Sequence, residues 1–182
     1  MPDGRALKLG DVLTASNGKT IEIYNTDAEG RLVMADALVY ADKVLKSKMI
    51  IDVATLTGSI VISLSYSACG IVSRNPELAQ KVCLSGVETG ERVFELPLYG
   101  MFKERMTKSD VADLRNLSGV KGGGALTAAA FLSEFVEIDD WAHIDIAGVF
   151  INNKGGCEYM KHGSMTGKPV RTLLKFVQDY VN

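Results

Sequence analysis

Histidine is almost missing from this chain: His143 and His162 are the only two among 182 residues. A metal centre built on converging imidazoles has nothing to draw on, so any bound cation would be held by oxygen. Cysteine is scarce as well. Cys69, Cys83 and Cys157 make an odd number at wide, unrelated spacings, which argues against a disulfide framework and for a reducing, cytoplasmic compartment. Positive charge is not in excess: 20 Lys and Arg stand against 22 Asp and Glu. Nothing is available to neutralise a row of phosphates, and nucleic acid is not an expected partner. Long apolar runs are absent too. Stretches such as Ile60 to Leu64 fall far short of the roughly 20 residues that span a bilayer. The opening Met-Pro-Asp-Gly-Arg has no apolar core of the signal-peptide kind. With four prolines, no repeat and no low-complexity tract, the chain has no linker to divide it. What remains is an ordinary globular composition, 47% hydrophobic and 23% charged. One domain, burying roughly 70% of its unfolded surface, is expected.

The hydrophobic pattern alternates between the two regular periods. Thr20 to Tyr24 places Ile21 and Ile23 on one side and Glu22 on the other, a half-buried strand. Leu32 to Leu45 is apolar at helical spacing on two faces, which predicts a helix buried on more than one side. Met49 to Ala54 is nearly continuous in apolar residues and reads as a central parallel strand covered on both faces. Gly58 to Ser65 starts a short helix and Cys69 to Ser73 returns to strand. Pro76 to Glu88 is helical, with Asn75 placed to cap it. Ala125 to Val136 is helical after Gly122-Gly123-Gly124, Trp141 to Val149 is strand, and Pro169 to Tyr180 is a closing helix. This order predicts an α/β fold with a mixed, largely parallel sheet flanked by helices. About four strands are few for a sheet covered on both faces, so the sheet is expected to be incomplete.

Chemistry concentrates in Asn25-Thr26-Asp27-Ala28-Glu29-Gly30-Arg31-Leu32, directly after the Ile21 to Tyr24 strand. If the backbone stays extended, Asp27, Glu29 and Arg31 share one face at a strand's C-terminal end, where ligands bind in open α/β sheets. Paired carboxylates suit a hard divalent cation, and an arginine beside them offers a charged fork for an anion. The same spacing also fits a solvated cluster of surface ion pairs.

The octapeptide as a whole resembles the signature of the leucine aminopeptidases, also called cytosol aminopeptidases. The resemblance continues through Gly10 to Val12, Gly18 to Glu22, Ala35 to Leu38, Ala54 to Gly58, Val111 to Leu114, Trp141 to Gly148 and Thr166 to Arg171. Met165 and Asn152-Asn153-Lys154 are similar to the animal-type enzymes. The resemblance implies that Asp27 and Glu29 bind two divalent metal ions, zinc foremost and manganese or magnesium as substitutes, with Glu29 bridging both. It implies that Arg31 holds a bicarbonate acting as general base, and that Thr55, Leu56, Gly58, Ala147 and Phe150 line the substrate site. The implied reaction removes an N-terminal residue, often leucine, from a peptide, by a water activated between metals about 3.5–4 Å apart. A homo-oligomer, hexameric in the family, is implied as well.

Met1 aligns with a methionine inside the family's catalytic domain, so residues 1–182 are expected to be the C-terminal portion of that domain. A metal-binding lysine, further aspartate ligands and the catalytic lysine would then be missing, and the polypeptide as written is expected to be weak or inactive. A reading of another class is a catalytically dead subunit that serves assembly or binding on the same scaffold. Intact Asp27, Glu29 and Arg31 favour an active parent.

Other features read more plainly. Gly119 to Gly124 and Gly163 to Lys168 lack the phosphate-loop pattern. His143 is expected as a satisfied core histidine, Asp52 and Asp145 as structural hydrogen-bonding carboxylates, and the cysteines as core packing.

Overall fold

Two short sheets organise the chain in this computed structural model, which describes residues 3–153 and 160–181. Met1, Lys154 and Cys157 lie outside the described residues. The chain divides into two compact units, one of residues 1–50 and 98–138, the other of residues 51–97 and 139–182.

In the first unit, strands β1 (Val12–Thr14) and β2 (Thr20–Glu22) pair antiparallel, and β2 pairs in parallel with β6 (Leu114–Arg115). Ile21 and Ile23 point inward at 2% and 0% exposure, as the alternation predicts. Glu22 faces the other way and pairs with Arg115 at 2.7 Å. Helices α1 (Gly30–Val39), α4 (Gly100–Met106) and α5 (Gly124–Leu132) complete the unit. Gly123 precedes α5 at φ +68, a backbone conformation that side chains resist. Along α5, Ala128, Ala129, Ala130, Phe131 and Leu132 are all fully buried. The small alanines allow α1 and α4 to approach closely, and truncating Phe131 to alanine would cost about 3–5 kcal/mol.

In the second unit the strand order is β3 (Ile50–Ala54), β7 (Trp141–Asp145), β4 (Cys69–Ser73) and β5 (Val93–Glu95). β4 runs parallel to β5 and antiparallel to β7. Helices α2 (Gly58–Leu64), α3 (Pro76–Thr89) and α6 (Val170–Val181) belong to this unit. As expected, Asn75 caps α3, accepting from Glu77 N at 2.9 Å and Leu78 N at 3.4 Å. The buried Glu91 carboxylate accepts from Arg171 N at 2.9 Å, placing negative charge at the positive end of α6.

The mixed α/β class is borne out, with antiparallel pairs beside parallel ones. Two details differ from expectation. β3 is an edge strand, with Val53 39% exposed; an apolar run shows hydrophobicity on both faces but not how many neighbours a strand has. Helix α1 buries Ala35, Leu38 and Val39, while Val33 is 74% exposed. The helix continues as a wider turn over Tyr40–Val44, where Tyr40 and Val44 are exposed too. One apolar face is covered, not two.

Candidate active site

The carboxylate pair of the signature sits on a turn, not on a strand. β2 ends at Glu22, and Asn25 turns the chain by accepting from Asp27 N at 2.8 Å through its side chain. Glu29 is the residue before α1, already in helical conformation at φ −79 and ψ −35. Asp27 and Glu29 are both exposed. This is a correction to the extended face: residues two apart on a helix point to opposite sides, and Arg31, in the first turn of α1, is buried at 4% exposure. Glu29 faces solvent while Arg31 faces the unit's interior.

One residue holds this turn. Asn116, fully buried beyond β6, accepts from Tyr24 N at 2.8 Å and Asn25 N at 3.2 Å. Its amide nitrogen donates to Asn25 O at 2.6 Å and Ala28 O at 3.3 Å. Both ends of the side-chain amide are therefore committed to the backbone that carries Asp27. The sequence reading missed Asn116, which carries no charge and stands in no pattern. Its only signal is its place just after the Val111 to Leu114 segment.

In the second unit, Thr55, Leu56 and Gly58 follow the end of β3, and Ala147 and Phe150 follow the end of β7. Ile146 N donates to Ala54 O at 2.9 Å, so the two strand ends adjoin and both segments leave the same edge of the sheet. Asp145, at 3% exposure, joins them. Its carboxylate accepts from Leu56 N at 3.1 Å, Thr57 N at 3.4 Å, Ala147 N at 3.1 Å and Thr57 Oγ1 at 2.6 Å. These bonds also end β7 at Asp145, short of the predicted Val149. Gly148 lies where a Cβ would stand 2.3 Å from Ser65 O, so only glycine lets the second segment pass the end of α2.

The remaining polar candidates are structural. Asp52 accepts from Trp141 Nε1 at 2.8 Å and pairs with His143 Nδ1, the hydrogen-bonding role expected of it. His143 is buried at 1% exposure, but its Nε2 has no partner among the described residues, so it is half satisfied. Burial pushes the Cys69 thiol up to about 12 and the Cys83 thiol up to about 11. Neither is a thiolate near neutrality.

Two hard carboxylates, both exposed and two residues apart in the chain, are the right donor type for part of a divalent cation's ligand set, which numbers about four to eight. They do not fit a whole one, and among the described residues no group of three or more His, Cys, Asp or Glu side chains converges. No helix among the described residues is long and apolar enough to cross a membrane.

The family model for the catalytic domain of the cytosol aminopeptidase family matches residues 1–174. The probable cytosol aminopeptidase of the cyanobacterium Picosynechococcus is 51% identical over 97% of this chain and 35% of its own length. Cytosol aminopeptidase of Homo sapiens is 46% identical over 97% of the chain and 34% of its own length, and that of Bos taurus is likewise 46% identical. Identity does not rank these animal enzymes above the bacterial one, whatever Met165 and Asn152 to Lys154 suggest. The chain spans about a third of the length of the curated relatives it matches. With the signature turn, both strand-end segments and nearly the whole length matched, this chain belongs to the cytosol aminopeptidase family.

Proposed function

We propose that this chain carries part of the active site of a metal-dependent aminopeptidase, releasing leucine and similar residues from the N-termini of peptides. The observation that carries the reading is the signature turn itself, with Asp27 and Glu29 both exposed and the flanking backbone of Tyr24, Asn25 and Ala28 clamped by a buried Asn116. A loop that served only as surface would not need so closed a set of bonds.

In this reading Asp27 and Glu29 would hold divalent cations, zinc foremost with manganese or magnesium as substitutes. Bound there, the cations supply Lewis-acid polarisation of the scissile carbonyl and an activated water. Thr55, Leu56 and Gly58 present backbone and side chain to the substrate, with Ala147 and Phe150 beside them. Thr55 and Gly58 are exposed and Leu56, Ala147 and Phe150 half-buried, so each leaves surface for a ligand. Arg31 holds a bicarbonate, its planar fork suited to an oxyanion. It does so from a buried position in α1, not from the carboxylates' own face. A cytoplasmic location and a homo-oligomeric, hexameric assembly belong to the same reading.

The second reading, a binding or assembly subunit without catalysis, draws on the absence of a fuller ligand cluster among the described residues. One experiment separates the two. The native full-length protein is expected to release leucine from leucyl amide, to lose that activity to a chelator, and to regain it with zinc or manganese. The 182-residue polypeptide alone is expected to turn over far below about 1 s⁻¹ under the same conditions. Failure of the native protein to cleave leucyl amide under any metal favours the non-catalytic subunit.

A further inference from the structure

Asp145 does more than fill hydrogen-bonding capacity in the sheet. Its Oδ1 accepts from Leu56 N at 3.1 Å, Thr57 N at 3.4 Å and Ala147 N at 3.1 Å, while Oδ2 accepts from Thr57 Oγ1 at 2.6 Å. The residues joined in this way lie up to 89 positions apart in sequence. Peptide units are planar, so fixing the N–H of Leu56 and Thr57 also fixes the carbonyls of Thr55 and Leu56. Thr57 Oγ1 in turn accepts from Ile60 N at 3.2 Å and starts α2. One buried carboxylate therefore sets the direction of the backbone on both sides of the proposed substrate surface.

We propose that Asp145 is a specificity-determining positioning residue, whose carboxylate registers the Thr55–Gly58 segment against the Ala147–Phe150 segment and so shapes the wall that receives the substrate's N-terminal side chain. This rests on the reading of those two segments as the substrate site. Three N–H groups sharing one oxygen leave little freedom for either segment to drift. Asp52 provides the contrast. It lies in the same unit and is also a carboxylate, but its partners Trp141 and His143 are strand residues, and it binds neither segment.

The test compares leucyl and alanyl amides as substrates of the native full-length protein, with kcat and KM measured separately. Asp145→Asn keeps the size and one acceptor oxygen but turns a donor toward the Thr57 hydroxyl. It is expected to change the leucyl-to-alanyl ratio of kcat/KM by about tenfold, mainly through KM, with bound metal unchanged. Asp52→Asn is expected to lower Tm without moving the ratio. Thr57→Ser, which keeps the hydroxyl, stays with the wild type. If Asp145→Asn does not fold, Thr57→Val removes the hydroxyl, both its bond to Asp145 Oδ2 and its cap on α2, leaves the backbone bonds to Oδ1 in place, and is expected to move the ratio about threefold.

Phe150→Ala serves to separate the two levels of the argument. If Phe150→Ala changes the ratio while Asp145→Asn, or Thr57→Val in its place, leaves it within about twofold of the wild type, the inference about Asp145 is overturned and the substrate surface stands. If none of the variants changes the ratio, the substrate surface is misplaced and the inference falls with it.

Discussion

Asn116→Ala removes two acceptor and two donor contacts from a fully buried place, leaving the backbone of Tyr24, Asn25 and Ala28 without its partner. Unpaired buried polar groups cost about 1–3 kcal/mol each, offset in part by entering water. The variant is expected to lose about 2–4 kcal/mol in urea denaturation; a loss under about 0.5 kcal/mol would show that the clamp is idle. Arg31 poses a different question at the same scale. Arg31→Lys keeps the charge but loses the planar fork, and the bicarbonate reading predicts about a tenfold fall in kcat with KM little changed. Arg31→Ala should fall at least as far and recover in part with added bicarbonate. The check is kcat across a bicarbonate titration in carbonate-depleted buffer. A wild type indifferent to bicarbonate, matched by Arg31→Lys, would make Arg31 a structural ion-pair residue. The contiguous signature made Asp27, Glu29 and Arg31 legible in the sequence, but their shared face was an artefact of assuming an extended chain. The Asn25 side chain starts a turn that periodicity does not register. Asn116 was not legible at all, because its partners lie about 90 residues upstream.

At the level of elements, the strongly patterned segments came out close to their predicted bounds. α3 starts at Pro76 behind its Asn75 cap, α6 covers Val170–Val181, and β4 is Cys69–Ser73 as read. The short elements β1, β5, β6 and α4 were not read, since two to seven residues carry too little periodicity to stand out. The turn after α5 makes a pH prediction. Burial pushes the Glu134 carboxyl up, but the hydrogen bond and charge of Lys19, with Lys103 beside it, outweigh burial and hold it below 4.5. Lys19 Nζ lies 2.6 Å away and Lys103 Nζ 3.4 Å away. A depressed carboxyl stabilises the fold fully above its unfolded value near 4.5 and loses that contribution as pH falls through the folded value. Melting temperature should therefore fall from pH 6 toward pH 3.5 by less in Glu134→Gln than in the wild type. Parallel acid profiles for the two proteins would remove Glu134 from the account.

At the scale of the whole molecule, the carboxylate candidates Asp27 and Glu29 belong to one compact unit and the substrate candidates Thr55 to Gly58 and Ala147 to Phe150 to the other. Composition records how much surface can be buried but not how contacts cluster. The mixed α/β class was legible from alternating strands and helices. The family was legible from motifs in the right order, and the match over residues 1–174 bears that out. The central claim is that Asp27 and Glu29 hold the metals of an aminopeptidase. It is tested most directly by counting bound metal in the native full-length protein and in Glu29→Gln, with leucyl amide hydrolysis measured on the same samples. Glutamine keeps the shape of the side chain but removes the charge that offsets two dications. The account predicts about two divalent ions per chain in the wild type, fewer in Glu29→Gln, and a fall in hydrolysis of at least about a hundredfold. Unchanged metal content with unchanged turnover in Glu29→Gln would contradict it.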